Sequence, residues 1–258
     1  MSPCSLLDTG TAMLEYRLLS NADSTGPTLV LLHEGLGCVA LWKDFPDVLA
    51  ASTELSILTY SRQGYGGSSA VPLPRRLDYL SEAGPDELAQ VLETLGLDKV
   101  VLVGHSDGAS IALAYAARND PRVRGVVALA PHVTVEPASL AGIRETVAQF
   151  LEGGLREQLA AYHGRNTDGA FHGWSDTWLE PDFTGWHLLD HLPRIAIPVL
   201  ALQGRDDEYA TTEQMTLIAH HVPNSRVELL DNCRHFPQNQ ARDSTLELIG
   251  QFLATLPT

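Results

Sequence analysis

Lysine is almost missing from this chain of 258 residues: only Lys43 and Lys99 occur, and no arginine cluster takes their place. With a formal net charge of −15, the molecular field opposes a polyphosphate backbone, so nucleic acid is not expected as a partner. Anionic small molecules are opposed only weakly, because a local pocket overrides net charge. Cysteine is scarce too. Cys4, Cys38 and Cys233 are odd in number and form no C-x-x-C pair, which argues against a disulfide framework or a zinc site and for reduced thiols. No apolar run approaches the ~18 residues of a membrane span, and residues 1–7 are too short and uncharged for a secretory leader. A cytoplasmic protein that binds no membrane is the expectation. Internal repeats, low-complexity tracts and heptads are absent as well, so oligomeric state is not readable.

What is present is an ordinary globular composition, 44% hydrophobic and 19% charged, long enough to bury a sizeable core without metal or disulfide. After an opening hairpin around Thr9-Gly10-Thr11, nearly uniform apolar runs at 28–33, 55–61, 100–103, 123–130, 198–203 and 227–230 read as strands buried on both faces. Helical spacing fills the intervals at 40–51, 78–95, 109–117, 212–221 and 241–256. This alternation specifies an α/β fold with a mainly parallel, doubly covered sheet. The interval 134–194 breaks it, carrying helical patterns and no strand over a length too great for a connection. It reads as an inserted helical cap, leaving 1–133 and 195–258 as the core. Trp174, Trp178 and Trp186, with Phe150, Tyr162, Phe171 and Phe183, serve as the cap's own core, as pocket walls, or as both.

Gly104-His105-Ser106-Asp107-Gly108 stands between the apolar run 100–103 and a small-residue helix. Strand, G-x-S-x-G and helix in succession make a nucleophile elbow. A sharp turn of this kind strains the serine backbone, and the flanking glycines let strand and helix approach without Cβ collisions. The helix start directs free N–H groups and its positive dipole end to the point where oxyanion charge develops in acyl transfer.

With the elbow, the loop His33-Glu34-Gly35-Leu36-Gly37 and a strand-terminal acid in that order, the chain resembles the α/β-hydrolase superfamily along nearly its whole length. The resemblance is to cap-bearing serine esterases, lactonases and carbon–carbon bond hydrolases. It implies a Ser106, Asp207, His235 triad: Gly204-Arg205-Asp206-Asp207 carries the family's G-x-x-D spacing, and Cys233-Arg234-His235 precedes the last helix. Asp206 is the competing acid and otherwise caps its loop. Arg234 departs from the common C-G-H sequence. The implied oxyanion donors are the N–H groups of Asp107 and Gly35. Serine at the elbow argues against haloalkane dehalogenases and epoxide hydrolases, which use aspartate there.

Glu34 replaces the glycine that this family usually carries after the histidine. A carboxylate there opposes oxyanion formation unless it is paired or turned away. Either it faces inward to backbone donors or an arginine, with Arg62 a candidate partner, or it meets substrate or a catalytic water. His132, at the end of the strand before the cap, either hydrogen-bonds structurally at the hinge or touches substrate. Leu36, Trp174, Trp178 and Trp186 complete the candidate substrate contacts. His187 and His191 have a zinc-compatible spacing on an expected helix, but no third ligand accompanies them, so no metal is expected. The expected activity is cofactor-free hydrolysis of an ester-type bond, whether carboxylic ester, thioester or lactone, in a small, largely apolar substrate. Carbon–carbon bond hydrolysis of a ring-cleavage product, or ligand binding without turnover, is the alternative.

Overall fold

A computed structural model describes residues 4–257. Eight strands form one sheet: β1 (Ser5–Asp8), β2 (Met13–Leu19), β3 (Thr28–Leu32), β4 (Ile57–Tyr60), β5 (Val100–His105), β6 (Val123–Leu129), β7 (Val199–Gly204) and β8 (Ser225–Leu230). Their order is β1-β2-β4-β3-β5-β6-β7-β8, with β1 and β2 antiparallel and the rest parallel. Period-two alternation explains why the central strands carry no polar face. Val30, Leu32 and Leu102 point into one apolar layer, whereas Leu29, Leu31, Val101 and Val103 point into the other.

Helix α1 (Phe45–Thr53) lies on the second face. It follows a single turn of 3₁₀ helix, so the expected helix 40–51 is two pieces. Helices α2 (Gly84–Thr94) and α3 (Asp107–Ala116) cover the first face, their small side chains letting α3 approach β5 closely. The stretch expected as one helix from 78 begins instead with a wide π-type turn, Tyr79–Ala83, which presents Tyr79 to the interior. Between β6 and β7 run α4 (Pro137–Glu152), α5 (Leu155–His163) and α6 (Thr167–Leu179). No helix forms over His187 and His191, contrary to the expectation for those two; His187 instead bridges to Thr134. The chain closes through α7 (Glu213–His221), the short α8 (Pro237–Gln240) and α9 (Arg242–Thr255), which packs with α1.

Aromatic stacking organises the inserted helices. Phe150 stacks on Phe171 at 3.6 Å between ring centres, and Trp186 stacks on Phe183 at 5.5 Å. Among the described residues no helix is long and apolar enough to cross a membrane.

Candidate active site

The site lies at the carboxyl edge of β3, β5, β6 and β7. Ser106 takes φ +52°, a left-handed conformation rare for a residue with Cβ, at the junction of β5 and α3. Close packing dictates its glycines. A Cβ on Gly104 would overlap the backbone of Gly108 and Ala109, and one on Gly108 would overlap the carbonyl of Leu32. The serine hydroxyl is thereby fixed against the β8–α8 loop, where His235 Nε2 stands 2.9 Å from Ser106 Oγ.

His235 Nδ1 donates to the Asp207 carboxylate, 2.9 Å from both oxygens. Burial alone would raise the Asp207 pKa, but the imidazole and the Tyr209 N–H (2.8 Å) outweigh it and hold the carboxyl below its ordinary range. Asp206, one residue earlier, is exposed and faces away. The two loops meet closely: a Cβ on Gly204 would strike the carbonyls of Cys233 and Arg234. Arg234 turns its side chain outward to Glu208 at 3.1 Å, so it occupies the glycine position without crossing the site.

Glu34 to Gly37 form a turn closed by Gly37 N–H on the Glu34 carbonyl at 3.1 Å. Two buried groups set this loop. His33 donates from Nδ1 to the Glu34 carbonyl (2.7 Å) and accepts the Arg62 N–H at Nε2 (3.0 Å). Burial, reinforced by the Arg62 charge, drives the His33 pKa well below its ordinary value and keeps the ring neutral. The Arg62 guanidinium then donates to the carbonyls of His33 and Glu34, the latter at 3.0 Å. Arg62 is therefore a partner of this loop as anticipated, but through backbone oxygens and not the Glu34 carboxylate.

That carboxylate stands 3.8 Å from His105 Nδ1 and packs over Gly37, where a Cβ would overlap it. Neither Gly35 N–H nor Asp107 N–H has a backbone acceptor among the described residues, and both residues line the cavity above Ser106. The Asp107 side chain accepts from Tyr79 Oη at 2.6 Å and from Trp178 Nε1 at 3.3 Å, while the same indole donates to Tyr79 Oη at 2.8 Å. Burial pushes its pKa up. The acid beside Ser106 thus anchors the roof of the site.

The cavity measures about 80 Å³ and is walled by Leu36, Ile143, Trp174, Trp178, Tyr209 and Phe236 around Glu34, Gly35, Ser106, His132 and His235. Since one water needs roughly 10–15 Å³ on this scale, it holds a group of about five to eight heavy atoms. Trp186 does not reach it; packing against Phe183 and Trp178 places that indole in the core of the insertion. His132 does reach it. Its ring sits 5.1 Å from Trp178 and 5.7 Å from His235, and buried Nδ1 has no hydrogen-bond partner, which corrects the structural, hydrogen-bonded reading of that side chain. Burial lowers its pKa to about 3, so it is neutral. Ile143, Tyr209 and Phe236 escaped the sequence reading, although Tyr209 and Phe236 stand two and one residues after Asp207 and His235. Tyr79 escaped it because the π-type turn that aims it inward has no sequence signature.

The profile of the alpha/beta hydrolase fold matches residues 27–187 of this chain. The chain is 26% identical over 277 residues to a proline iminopeptidase of Lactobacillus delbrueckii subsp. lactis, covering 92% of this chain and 93% of that protein. It is also 26% identical to a poly(3-hydroxyalkanoate) depolymerase of Ectopseudomonas oleovorans, over 88% of this chain and 84% of the relative. The crystal structure of a Mycobacterium smegmatis proline iminopeptidase superposes with a TM-score of 0.76 at 18% identity, covering 98% of both chains. Doubly covered sheet, strand order and family match together establish that this chain belongs to the α/β-hydrolase fold family and is a hydrolase.

Proposed function

We propose that the protein is a serine hydrolase cleaving an ester-type bond of a small, largely apolar substrate through an acyl-enzyme. The observation that carries this reading is the continuous relay from Ser106 Oγ through His235 to Asp207, with 2.9 Å at each step. His235 Nε2 removes the Ser106 proton as Oγ attacks the carbonyl carbon; Asp207 fixes the tautomer and stabilises the imidazolium. The N–H groups of Gly35 and Asp107 receive the oxyanion. His235 then protonates the departing alkoxide, and an activated water releases the acid. No cofactor enters this scheme, and the partner is a small molecule.

Cavity size favours short acyl groups. The relatives, an iminopeptidase and a polyester depolymerase, span amide and ester bonds, and for this relay the ester is the less demanding, since an alkoxide leaves more readily than an amine anion. We further place the enzyme in the cytoplasm, in keeping with its three free cysteines, two of them buried. The test is stopped-flow hydrolysis of 4-nitrophenyl esters of increasing acyl length. A burst of nitrophenol approaching one equivalent, with kcat/KM falling beyond short acyl chains, supports the reading. Ser106→Ala protein that retains substantial turnover in a clean preparation overturns it.

A further inference from the structure

His163 ends helix α5 and is only 2% accessible, yet both of its ring nitrogens are engaged. Nδ1 accepts the Gly66 N–H and Nε2 donates to the Leu36 carbonyl, at 2.9 Å each. Because a donor faces Nδ1, the ring proton sits on Nε2. Burial holds the imidazole pKa below its ordinary value and so keeps this neutral form, with one donor and one acceptor. Three residues on, the Asn166 amide grips the same turn, donating to the carbonyls of Gly66 (3.0 Å) and Ser68 (2.8 Å). Both side chains fasten the insertion to that turn. Of the two, His163 alone also bonds the loop that carries Gly35.

The Gly35 N–H belongs to the same peptide as the Glu34 carbonyl. From the core, His33 Nδ1 (2.7 Å) and Arg62 Nη2 (3.0 Å) hold that carbonyl. A peptide anchored only at its oxygen pivots about it, and the pivot swings its N–H. Glycine opposes such a swing least, having no Cβ to restrict its backbone. The Leu36 carbonyl, on the far side of Gly35, is the second anchor, and His163 holds it. Gly35 is thus clasped between a support from the core and one from the insertion.

Resting on the serine-hydrolase reading, we propose that His163 is a positioning residue for the oxyanion site, its Nε2–H holding the Leu36 carbonyl so that Gly35 N–H stays aimed at the substrate oxygen. It touches no reacting atom. Acylation and deacylation both pass through an oxyanion, so both slow together when the donor drifts, and kcat falls with little change in KM.

Amide side chains separate the two bonds of the imidazole. Asn carries its oxygen to the place of Nδ1 but falls short of Leu36, whereas Gln carries an N–H to the place of Nε2. Steady-state kinetics on 4-nitrophenyl acetate and urea unfolding are measured for His163→Asn, His163→Gln and Asn166→Ala, the last loosening the insertion without removing a bond to the loop. His163→Asn is expected to lose about ten- to a hundredfold in kcat, the range for a group misplaced by about 1 Å, with KM within about twofold of wild type. His163→Gln recovers most of that loss, and Asn166→Ala lowers the urea midpoint while keeping kcat near wild type. Unchanged kcat in His163→Asn, no recovery in His163→Gln, or an equal kcat loss in Asn166→Ala overturns the role of His163. Fluorophosphonate labelling of folded wild-type protein is run alongside; its absence overturns the serine-hydrolase reading, and this role with it.

Discussion

The indole of Trp174 rests directly on the backbone of Gly35, so closely that a Cβ on that glycine would overlap indole Nε1 and Cδ1. The loop that carries the proposed oxyanion donor and helix α6 are thereby packed as one unit. The first prediction follows from this contact. Gly35→Ala must displace either the rigid indole or the loop, at a cost of about 1–3 kcal/mol in stability. Because misplacing one oxyanion donor costs about 10²–10³ in kcat, turnover falls far more than thermal stability. Parallel melting and steady-state kinetics check this; a variant with wild-type kcat would contradict it.

Arg62 should act on catalysis without touching substrate. It is buried and holds two carbonyls of the loop. Arg62→Met leaves both carbonyls without their charged donor, and each bond of this type is worth about 1.5–3 kcal/mol. The expected outcome is kcat reduced at least tenfold with a smaller change in KM, together with a lower urea midpoint. Unaltered kcat in a destabilised variant would show that the loop keeps its shape without the guanidinium.

Removing the roof anchor tests a different link. Tyr79→Phe takes from Asp107 its 2.6 Å hydrogen bond while leaving the apolar ring in place. Leaving a buried carboxylate short of a partner costs about 1–3 kcal/mol. Burial has raised the folded Asp107 pKa, and the Tyr79 hydrogen bond opposes that rise by favouring the carboxylate, so the cost of losing the bond grows as pH rises through the folded value. The loss of stability in Tyr79→Phe is therefore expected to increase with pH, by urea unfolding at a series of pH values. A loss that is the same at every pH would contradict the assignment.

His132 gives a pH dependence of opposite sign. Burial depresses its folded pKa to about 3, against about 6.5 in an unfolded chain. Below pH 6.5 the unfolded state binds the proton and the native state does not, so stability falls as pH decreases towards 3. His132→Leu should flatten the stability curve between those limits by up to about 1.4 kcal/mol per pH unit. A variant whose acid slope equals the wild type's would show that the ring titrates in the folded protein.

How much was legible in the residues divides along physical lines. Continuous apolar strands announce themselves because both faces are buried, and the elbow does so because Gly104 and Gly108 meet backbone on each side. Asp207 was distinguished from Asp206 by spacing from Gly204, and the structure sets Asp207 against His235. Side-chain direction in the insertion was not legible. Trp174 and Trp178 share a helix and face the cavity, whereas Trp186 follows in irregular chain and stacks on Phe183. No periodicity separates such cases. Nor does a sequence show that Arg62 spends its donors on backbone oxygens and not on the Glu34 carboxylate.

The relay from Ser106 to Asp207 is the centre of this account, and intact-mass analysis after fluorophosphonate treatment tests it most directly. One equivalent of adduct on wild-type protein, none on Ser106→Ala, and short-chain ester turnover lost in the same variant are the predicted results. A folded wild-type protein that takes up no phosphonate, or a Ser106→Ala protein that labels and turns over as before, would contradict it.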